Sequence, residues 1–447
     1  MKDISISFLM KKVLLLLSLF ISIPAFSQSA DERIGTLINQ SDWFGLEETY
    51  PVLKDSMQAE FLKLMSEIMI DHYFNRPDEA IDGIRKLLTN HQAEIGSGNA
   101  LNMAILACQI EGEKGNYSVA AQQIQGIINQ VKAQGAGKES YAGFESVFKF
   151  YNCLSGIPAP GIKRTEGDVT VPIDIEKVKL PTSIEPKGWR GTHILIPVKV
   201  HGKTYRFIFD TGAGTSFMSE HFARELGVQI LNDSLVINPN LAGSMYGKMG
   251  TLDSLQIGDM VFSYPLITVA PPNVLDSVMQ VDAIIGMDFI GLFDELRIYP
   301  KEGKIVFPAS PTPLPASGRN LLLTDRALKL KATANGEKLR FHFDTGCTTA
   351  GLHYPYYLKH KAELDAVGKL EKSTGGGFNT VVTKEILRLS SFSLNIGGTP
   401  VVLQNLAVDV TTEGLQMVSD DGIIGMDMVN QFDCVTINLK DMFLKLE

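Results

Sequence analysis

The 447-residue chain has only four cysteines, Cys108, Cys153, Cys347 and Cys434. So few thiols exclude a disulfide scaffold, and none stands in the close Cys or Cys/His spacing of a zinc site. Export would permit a Cys108–Cys153 bridge, with buried free thiols as the alternative. The eight histidines form no ligand cluster by spacing, which makes a metal-dependent hydrolase a poor reading; neither a metal nor a cofactor is expected. An excess of basic residues is also lacking. The formal net charge of −9 argues against nucleic acid as a partner and fits a soluble surface. Beyond the N-terminal segment no window reaches 18 continuous apolar residues, so no integral membrane segment is expected in the mature protein. With 45% hydrophobic and 20% charged residues the chain is globular, and its length implies two or three domains.

What is present begins with a processing signal. Lys11 and Lys12 precede the apolar run Val13 to Ile23, and Ala25-Phe26-Ser27 places small residues where a signal peptidase reads. Residues 1–27 therefore read as a signal peptide cleaved before Gln28, with Met10 as an alternative initiator. A run of about a dozen residues is short for a membrane span. No Cys follows it, so nothing points to lipid attachment. The expected location is periplasmic or extracellular.

Residues 28–155 read as a helical domain. Met57 to Met65 and Ala80 to Leu88 repeat apolar positions at three and four, which gathers them on one helix face. Pro77 to Ile81 is echoed by Tyr117 to Ala121, each after an Asn-containing turn at Asn75 or Asn116. The pattern weakly resembles tetratricopeptide helix pairs; a plain small bundle is the alternative. Such a module offers a docking surface for a protein partner. Residues 156–189 contain Pro158, Pro160, Pro172 and Pro181 and read as a linker or extended lead-in.

The rest of the chain is written twice. Phe209-Asp210-Thr211-Gly212 recurs, offset by 134, as Phe343-Asp344-Thr345-Gly346, each after a hairpin pattern whose turn carries Gly202 or Gly336. Asp282-Ala283-Ile284-Ile285-Gly286-Met287-Asp288 returns as Asp421-Gly422-Ile423-Ile424-Gly425-Met426-Asp427, offset by 139. The duplication spans residues 190–307 and 325–447, joined by a Pro-rich connector at 308–324. An Asp after an apolar strand is costly inside a core, whereas a loop turned by Thr and Gly can present it to a cleft. Two equivalent loops facing each other across a pseudo-two-fold axis bring two carboxylates together. Such a pair shares a proton, so one member can deprotonate a water while the other polarises a carbonyl.

On these residues the chain resembles the retropepsin-like, retroviral-type aspartic proteases in a tandem two-lobe form. The resemblance covers just over half of the chain and implies a multi-domain protein. An N-terminal all-α domain would precede two mostly-β acid protease lobes. It implies a polypeptide substrate and Asp210 and Asp344 as the catalytic pair. Thr211, Gly212, Thr345 and Gly346 would hold the loops, supported by Ile284, Ile285, Gly286, Ile423, Ile424 and Gly425. Gly-rich flap candidates follow each loop, one with Tyr246 and Gly247 and the other with Gly376 and Phe378. A non-catalytic peptide-binding or assembly protein that keeps the two-lobe fold is the rival reading.

Some residues depart from the family pattern. Cys347 stands where Ser or Ala is more usual, and reads as a small filler or as a modulator of Asp344. Asp288 and Asp427 are expected to cap or stabilise the segments after them. His342 shares a strand face with Asp344, and reads as a tuner of that carboxylate or as a hydrogen-bonded structural histidine.

Overall fold

A computed structural model describes residues 29–237, 245–272, 281–376, 381–412 and 419–447. The signal segment lies outside these residues, and so does Phe378. Residues up to Ala159 form one unit and Pro160–Glu447 another.

The first unit is helical. Its helices are Ala30–Asn39, Trp43–Leu53, Glu60–Tyr73, Pro77–Asn90, Gln92–Glu113, Tyr117–Ala133 and Ala142–Leu154. Ser29 and Glu32 form a reciprocal capping box that starts the first helix. Pro77 opens its helix at the position where a missing N–H costs nothing, and Ala80, Ile81, Ile84 and Leu87 form its buried stripe. Helices adjacent in sequence pack together. Gly83 lies against Ile68 and Gly112 against Tyr151, where a Cβ would overlap the neighbouring side chain. The Cys108–Cys153 bridge is absent. None of the four cysteines is in a disulfide, Cys108 being buried with its Sγ 3.3 Å from the Ala120 carbonyl oxygen. Among the described residues no helix is long and apolar enough to cross a membrane.

The second unit is built from two β-rich lobes and a shared sheet. In lobe 1 the hairpin of Trp189–Val200 and Lys203–Phe209 turns through His201 and Gly202, both at positive φ; Asn335 and Gly336 do the same between Ala327–Ala334 and Glu337–Phe343 in lobe 2. Two left-handed residues in succession match the twist of a tight hairpin. Each hairpin then pairs in parallel with the second motif: Ile208 opposite Ile284 and Phe209 opposite Ile285, and Phe343 opposite Ile424. Beyond it the order repeats in both lobes: a short strand (Phe217–Ser219 or Gly351–Leu352), a longer one (Leu266–Ala270 or Thr399–Asp409), then a terminal hairpin. That terminal hairpin pairs Gln229–Ile237 with Met245–Thr251 in lobe 1, and Lys369–Gly376 with Val381–Ile396 in lobe 2.

The stretch 156–189 is extended and paired rather than free. Gly161–Lys163 joins Met260–Ser263, Asp174–Lys179 joins the first long hairpin, and Val169–Pro172 joins Lys304–Phe307. The last pairing belongs to a five-stranded sheet that runs Val169–Pro172, Lys304–Phe307, Glu295–Tyr299, Val435–Asn438, Phe443–Leu446. Strands from both lobes therefore share one ladder, with Leu296 opposite Ile437. Glu295, 2% exposed, sits at this seam. Its carboxylate accepts from Arg297 Nε, the Thr312 N–H and hydroxyl, and Asn438 Nδ2 at 2.6–2.9 Å. The Pro-rich connector is thus tied down at Thr312 by a buried charge that touches both lobes.

Candidate active site

The two Asp-Thr-Gly loops meet at the junction of the lobes. Each is held from behind by its parallel partner strand: the Asp210 N–H donates to Ile285 O at 3.0 Å and the Asp344 N–H to Ile424 O at 2.9 Å. Gly286 and Gly425 end these strands because the neighbouring loop backbone passes too close for a side chain. A Cβ on Gly286 would meet the Ala213 and Thr215 carbonyls, and one on Gly425 the Cys347 carbonyl. Ile285 and Ile424 are fully packed beneath the loops. Ile284 is buried as well, while Ile423 is partly exposed.

Thr211 and Thr345 cross-link the loops. The Thr211 N–H donates to Thr345 Oγ1 and the Thr345 N–H to Thr211 Oγ1, both at 3.0 Å. Each hydroxyl in turn donates to the opposite strand end, Thr211 to Phe343 O at 3.1 Å and Thr345 to Phe209 O at 2.9 Å. Both threonines are fully buried, so every polar atom of the grip depends on its counterpart.

The grip brings each glycine onto the opposite carboxyl. A Cβ on Gly212 would overlap the Asp344 carboxyl, and one on Gly346 the Asp210 carboxyl. Asp210 Oδ1 accepts the N–H groups of Gly212 and Ala213 at 2.8 and 3.1 Å; Asp344 Oδ1 accepts those of Gly346 and Cys347 at 2.7 and 3.0 Å. Burial, the Asp210 charge and a side-chain hydrogen bond to Asp210 push the Asp344 carboxyl well above the usual carboxylate range, against the two N–H donors. Two carboxyls this close favour sharing one proton between them, and both aspartates keep a partly accessible face.

Several supporting residues are not legible in the sequence. His193, on the long strand that leads into the first hairpin, is buried, and its Nε2 lies 2.9 Å from Gly346 O in the other lobe's loop. A carbonyl only accepts, so Nε2 carries the proton. Burial lowers the pKa of His193, opposed by the Asp210 charge and the Gly346 bond. Its counterpart in lobe 2 is Ala327, so the contact is one-sided. Arg190 pairs with Glu185 and donates from Nη1 to Thr374 O, in the lobe 2 terminal hairpin. The sequence signal for such residues is no more than a difference between the two copies.

Asp288 and Asp427 do more than stabilise the segments after them. Besides a hydrogen bond to the Phe289 backbone, Asp288 reaches back: it accepts the Ser216 N–H at 2.9 Å and its hydroxyl at 2.7 Å, while Ser216 Oγ accepts the Gly286 N–H at 2.9 Å. Asp427 accepts the Ala350 N–H in the same way at 2.8 Å, and also the N–H of its neighbour Met428, at 3.0 Å. Both carboxyls are pushed up by burial. They clamp the strand leaving each Asp loop. His342 also departs from expectation, being neither a tuner of Asp344 nor hydrogen-bonded at Nε2. That buried nitrogen has no hydrogen-bond partner, and the groups that act on the ring are Lys329, Asp420 and His353 rather than Asp344. Cys347 donates its Sγ to Thr349 O at 3.1 Å, and burial raises its pKa, so it is a protonated filler.

Of the flap candidates, Tyr246 and Gly247 lie on the strand Met245–Thr251, with Tyr246 62% exposed, and Gly376 ends the strand Lys369–Gly376. Among the described residues no group of three or more His, Cys, Asp and Glu is placed to hold a metal ion.

Residues 196–291 match the family model described as "gag-polyprotein putative aspartyl protease", and residues 330–428 match the model described as "Aspartyl protease". Each of the two β-rich lobes thus contains a stretch similar to an aspartic-protease family model. Each matched segment contains one Asp-Thr-Gly loop and its Ile-Ile-Gly strand. Among solved structures, the aspartic proteinase from Irpex lacteus is 16% identical, with a TM-score of 0.37 over 62% of this chain and 96% of that one. Basic 7S globulin from soybean is 10% identical, with a TM-score of 0.36 over 63% and 94%. No curated protein matches the chain.

Proposed function

We propose that the protein is an aspartic endopeptidase that hydrolyses peptide bonds with a water activated between Asp210 and Asp344. The observation that supports this is the mutual clamp of the two Asp-Thr-Gly loops, which brings each glycine onto the opposite carboxyl, with Asp344 pushed up by burial and by Asp210. The Asp210 carboxylate takes a proton from water as its oxygen bonds to the substrate carbonyl carbon. Asp344 gives its proton to the carbonyl oxygen. The tetrahedral intermediate collapses as the C–N bond breaks: Asp210 gives the proton it took from water to the leaving nitrogen, and Asp344 takes its proton back from the hydroxyl that becomes the new carbonyl. The terminal hairpins bearing Tyr246 and Gly376 serve as flaps over bound peptide.

Lys11, Lys12, the run Val13 to Ile23 and Ala25-Phe26-Ser27 support export, with a periplasmic or extracellular site of action. The helical unit supplies a docking surface for a protein partner. The test is cleavage of a diverse peptide library between about pH 3 and 7 by the protein, by Asp210→Asn and by Asp344→Asn. Each substitution alone abolishes cleavage. Inactivity of the unsubstituted protein at every pH defeats the reading, and full activity in either variant defeats the shared pair.

A further inference from the structure

Each lobe opens on an antiparallel strand pair, and the two pairs end at different points. In lobe 2, Leu321–Thr324 pairs with Ala327–Ala334 and turns through Asp325 and Arg326, both at positive φ, so Thr324 opposite Ala327 is the last rung. His193 corresponds to Ala327, and in lobe 1 it stands opposite Glu176. There the pair runs on, with Lys177 opposite Thr192 and Lys179 opposite Trp189, before residues 180–188 close it. Lobe 1 therefore carries an arm where the lobe 2 pair has already turned. The arm is braced internally. The Ile184 and Glu185 N–H groups donate to Pro181 O at 2.8 and 2.9 Å, the Gly188 N–H donates to Glu185 O at 2.8 Å, and Lys177 Nζ lies 4.0 Å from the centre of the Trp189 ring.

Four successive residues of the arm reach different parts of lobe 2. His193 bonds the Asp344 loop at Gly346 O. Thr192 Oγ1 accepts from Asn430 Nδ2 at 2.8 Å, just past the helix Met426–Val429 that follows the Ile-Ile-Gly strand. Gly191 has a φ of 56°, and a Cβ there would overlap the Cβ and carbonyl oxygen of Thr348, on the chain leaving the Asp344 loop. Arg190 reaches the terminal hairpin: its Nη1 donates to Thr374 O at 2.6 Å while its Nε donates to Glu185 Oε2 at 2.9 Å. Thr374 lies on Lys369–Gly376, the last strand of the eight-stranded lobe 2 sheet, whose backbone has a ladder partner on one side only. A guanidinium that bonds a carboxylate with one nitrogen and a carbonyl with another is held in one plane, and both bonds are charge-assisted. The lobe 1 terminal hairpin is tied within its own lobe, by Lys248 Nζ on Glu220 Oε1 at 2.6 Å.

We propose that the arm is a cross-lobe brace and that Arg190 is a positioning residue for substrate binding, which holds the lobe 2 terminal hairpin in register with the Asp344 loop through Thr374. The strand Trp189–Val200 of lobe 1 thus fixes both the loop that carries Asp344 and the hairpin that belongs to it. Arg190 and His193 stand three positions apart and act on different kinetic quantities. Arg190 acts on the hairpin and so on peptide capture; His193 acts on the aspartate loop and so on turnover. This inference rests on the peptidase reading above, in which the terminal hairpins close on bound peptide.

The experiment measures kcat and KM on a cleaved peptide, and amide hydrogen exchange, for the protein and for Arg190→Ala, Arg190→Lys and Glu185→Gln. Arg190→Ala raises KM about tenfold with kcat within about twofold, since the hairpin and not the aspartate pair is released. Amides of Lys369–Gly376 exchange faster, while those of the lobe 1 strand Met245–Thr251 keep their rates. Arg190→Lys supplies a point charge that cannot fork between Glu185 and Thr374, and Glu185→Gln weakens the anchor while keeping Arg190; both move the two readouts the same way by less. A fall in kcat with KM unchanged, unaltered exchange of Lys369–Gly376 in Arg190→Ala, or faster exchange in both hairpins alike overturns the brace. If the unsubstituted protein cleaves no peptide, the peptidase reading fails, and the exchange rates of the two hairpins alone decide whether the brace stands.

Discussion

His193 donates from Nε2 to the carbonyl oxygen of Gly346 at 2.9 Å, so a lobe 1 strand holds the loop that positions the lobe 2 aspartate. Ala327 offers nothing equivalent in the other direction. His193→Ala leaves the Gly346 carbonyl unpartnered and removes a net hydrogen-bond contribution of about 0.5–1.5 kcal/mol. The expected result is a fall of up to about tenfold in kcat with KM little changed, since the loop and not the substrate is displaced. Steady-state kinetics checks this, and His193→Gln recovers part of the loss.

Thr211→Val removes one acceptor and one donor from the grip. The Thr345 N–H and the Phe343 carbonyl are then both buried and unpaired, at about 1–3 kcal/mol each. Urea unfolding is expected to show a loss of roughly 2–6 kcal/mol. Thr211→Ser keeps both bonds and stays near the unsubstituted protein.

Stability changes with pH in opposite directions for two groups two residues apart, His342 at the end of its strand and Asp344 in the loop that follows. Asp344 is raised in the folded state, so the folded form binds its proton more tightly, and stability falls as pH rises from about 3.8 through the folded value. His342 is lowered to about 3 by burial and then by Lys329, so its contribution is lost as pH falls from 6.5 toward that value. Asp344→Asn therefore flattens the loss on raising pH, and His342→Leu flattens the loss on acidification. Urea midpoints of the three proteins from about pH 3 to 7 check both slopes.

Glu295 is the charge at the seam of the lobes. Glu295→Ala strands the donors on Thr312, Asn438 and Arg297, and a broken buried charge network costs about 3–5 kcal/mol. The measured consequence is faster proteolytic cleavage within 308–324, where the connector loses its anchor.

The two Asp-Thr-Gly loops, the Ile-Ile-Gly strands and the hairpins before them are legible in the sequence because each is a local pattern repeated at a nearly constant offset. The helical unit is legible from its apolar stripes. Whatever depends on distant partners escapes. The lead-in 156–189 shows too little periodicity to reveal strands, since its partners Met260–Ser263 and Lys304–Phe307 stand far along the chain. Ser216 looks like a loop serine until Asp288 folds back onto it. Strand alternation names the face that His342 occupies but not its neighbours there. Those are Lys329, from the paired strand, and Asp420, which arrives from near the end of the chain.

The ladder in which Glu295–Tyr299 pairs with Val435–Asn438 also sets how the site responds to dilution. Two separate chains that each supplied one aspartate would lose their pairing as concentration fell, by mass action. Within one chain the partner's effective concentration is set by the tether and the ladder, whatever the bulk concentration. Asp210 therefore meets Asp344 in a single dispersed molecule, and specific activity should be constant down to the lowest concentration at which turnover is detectable.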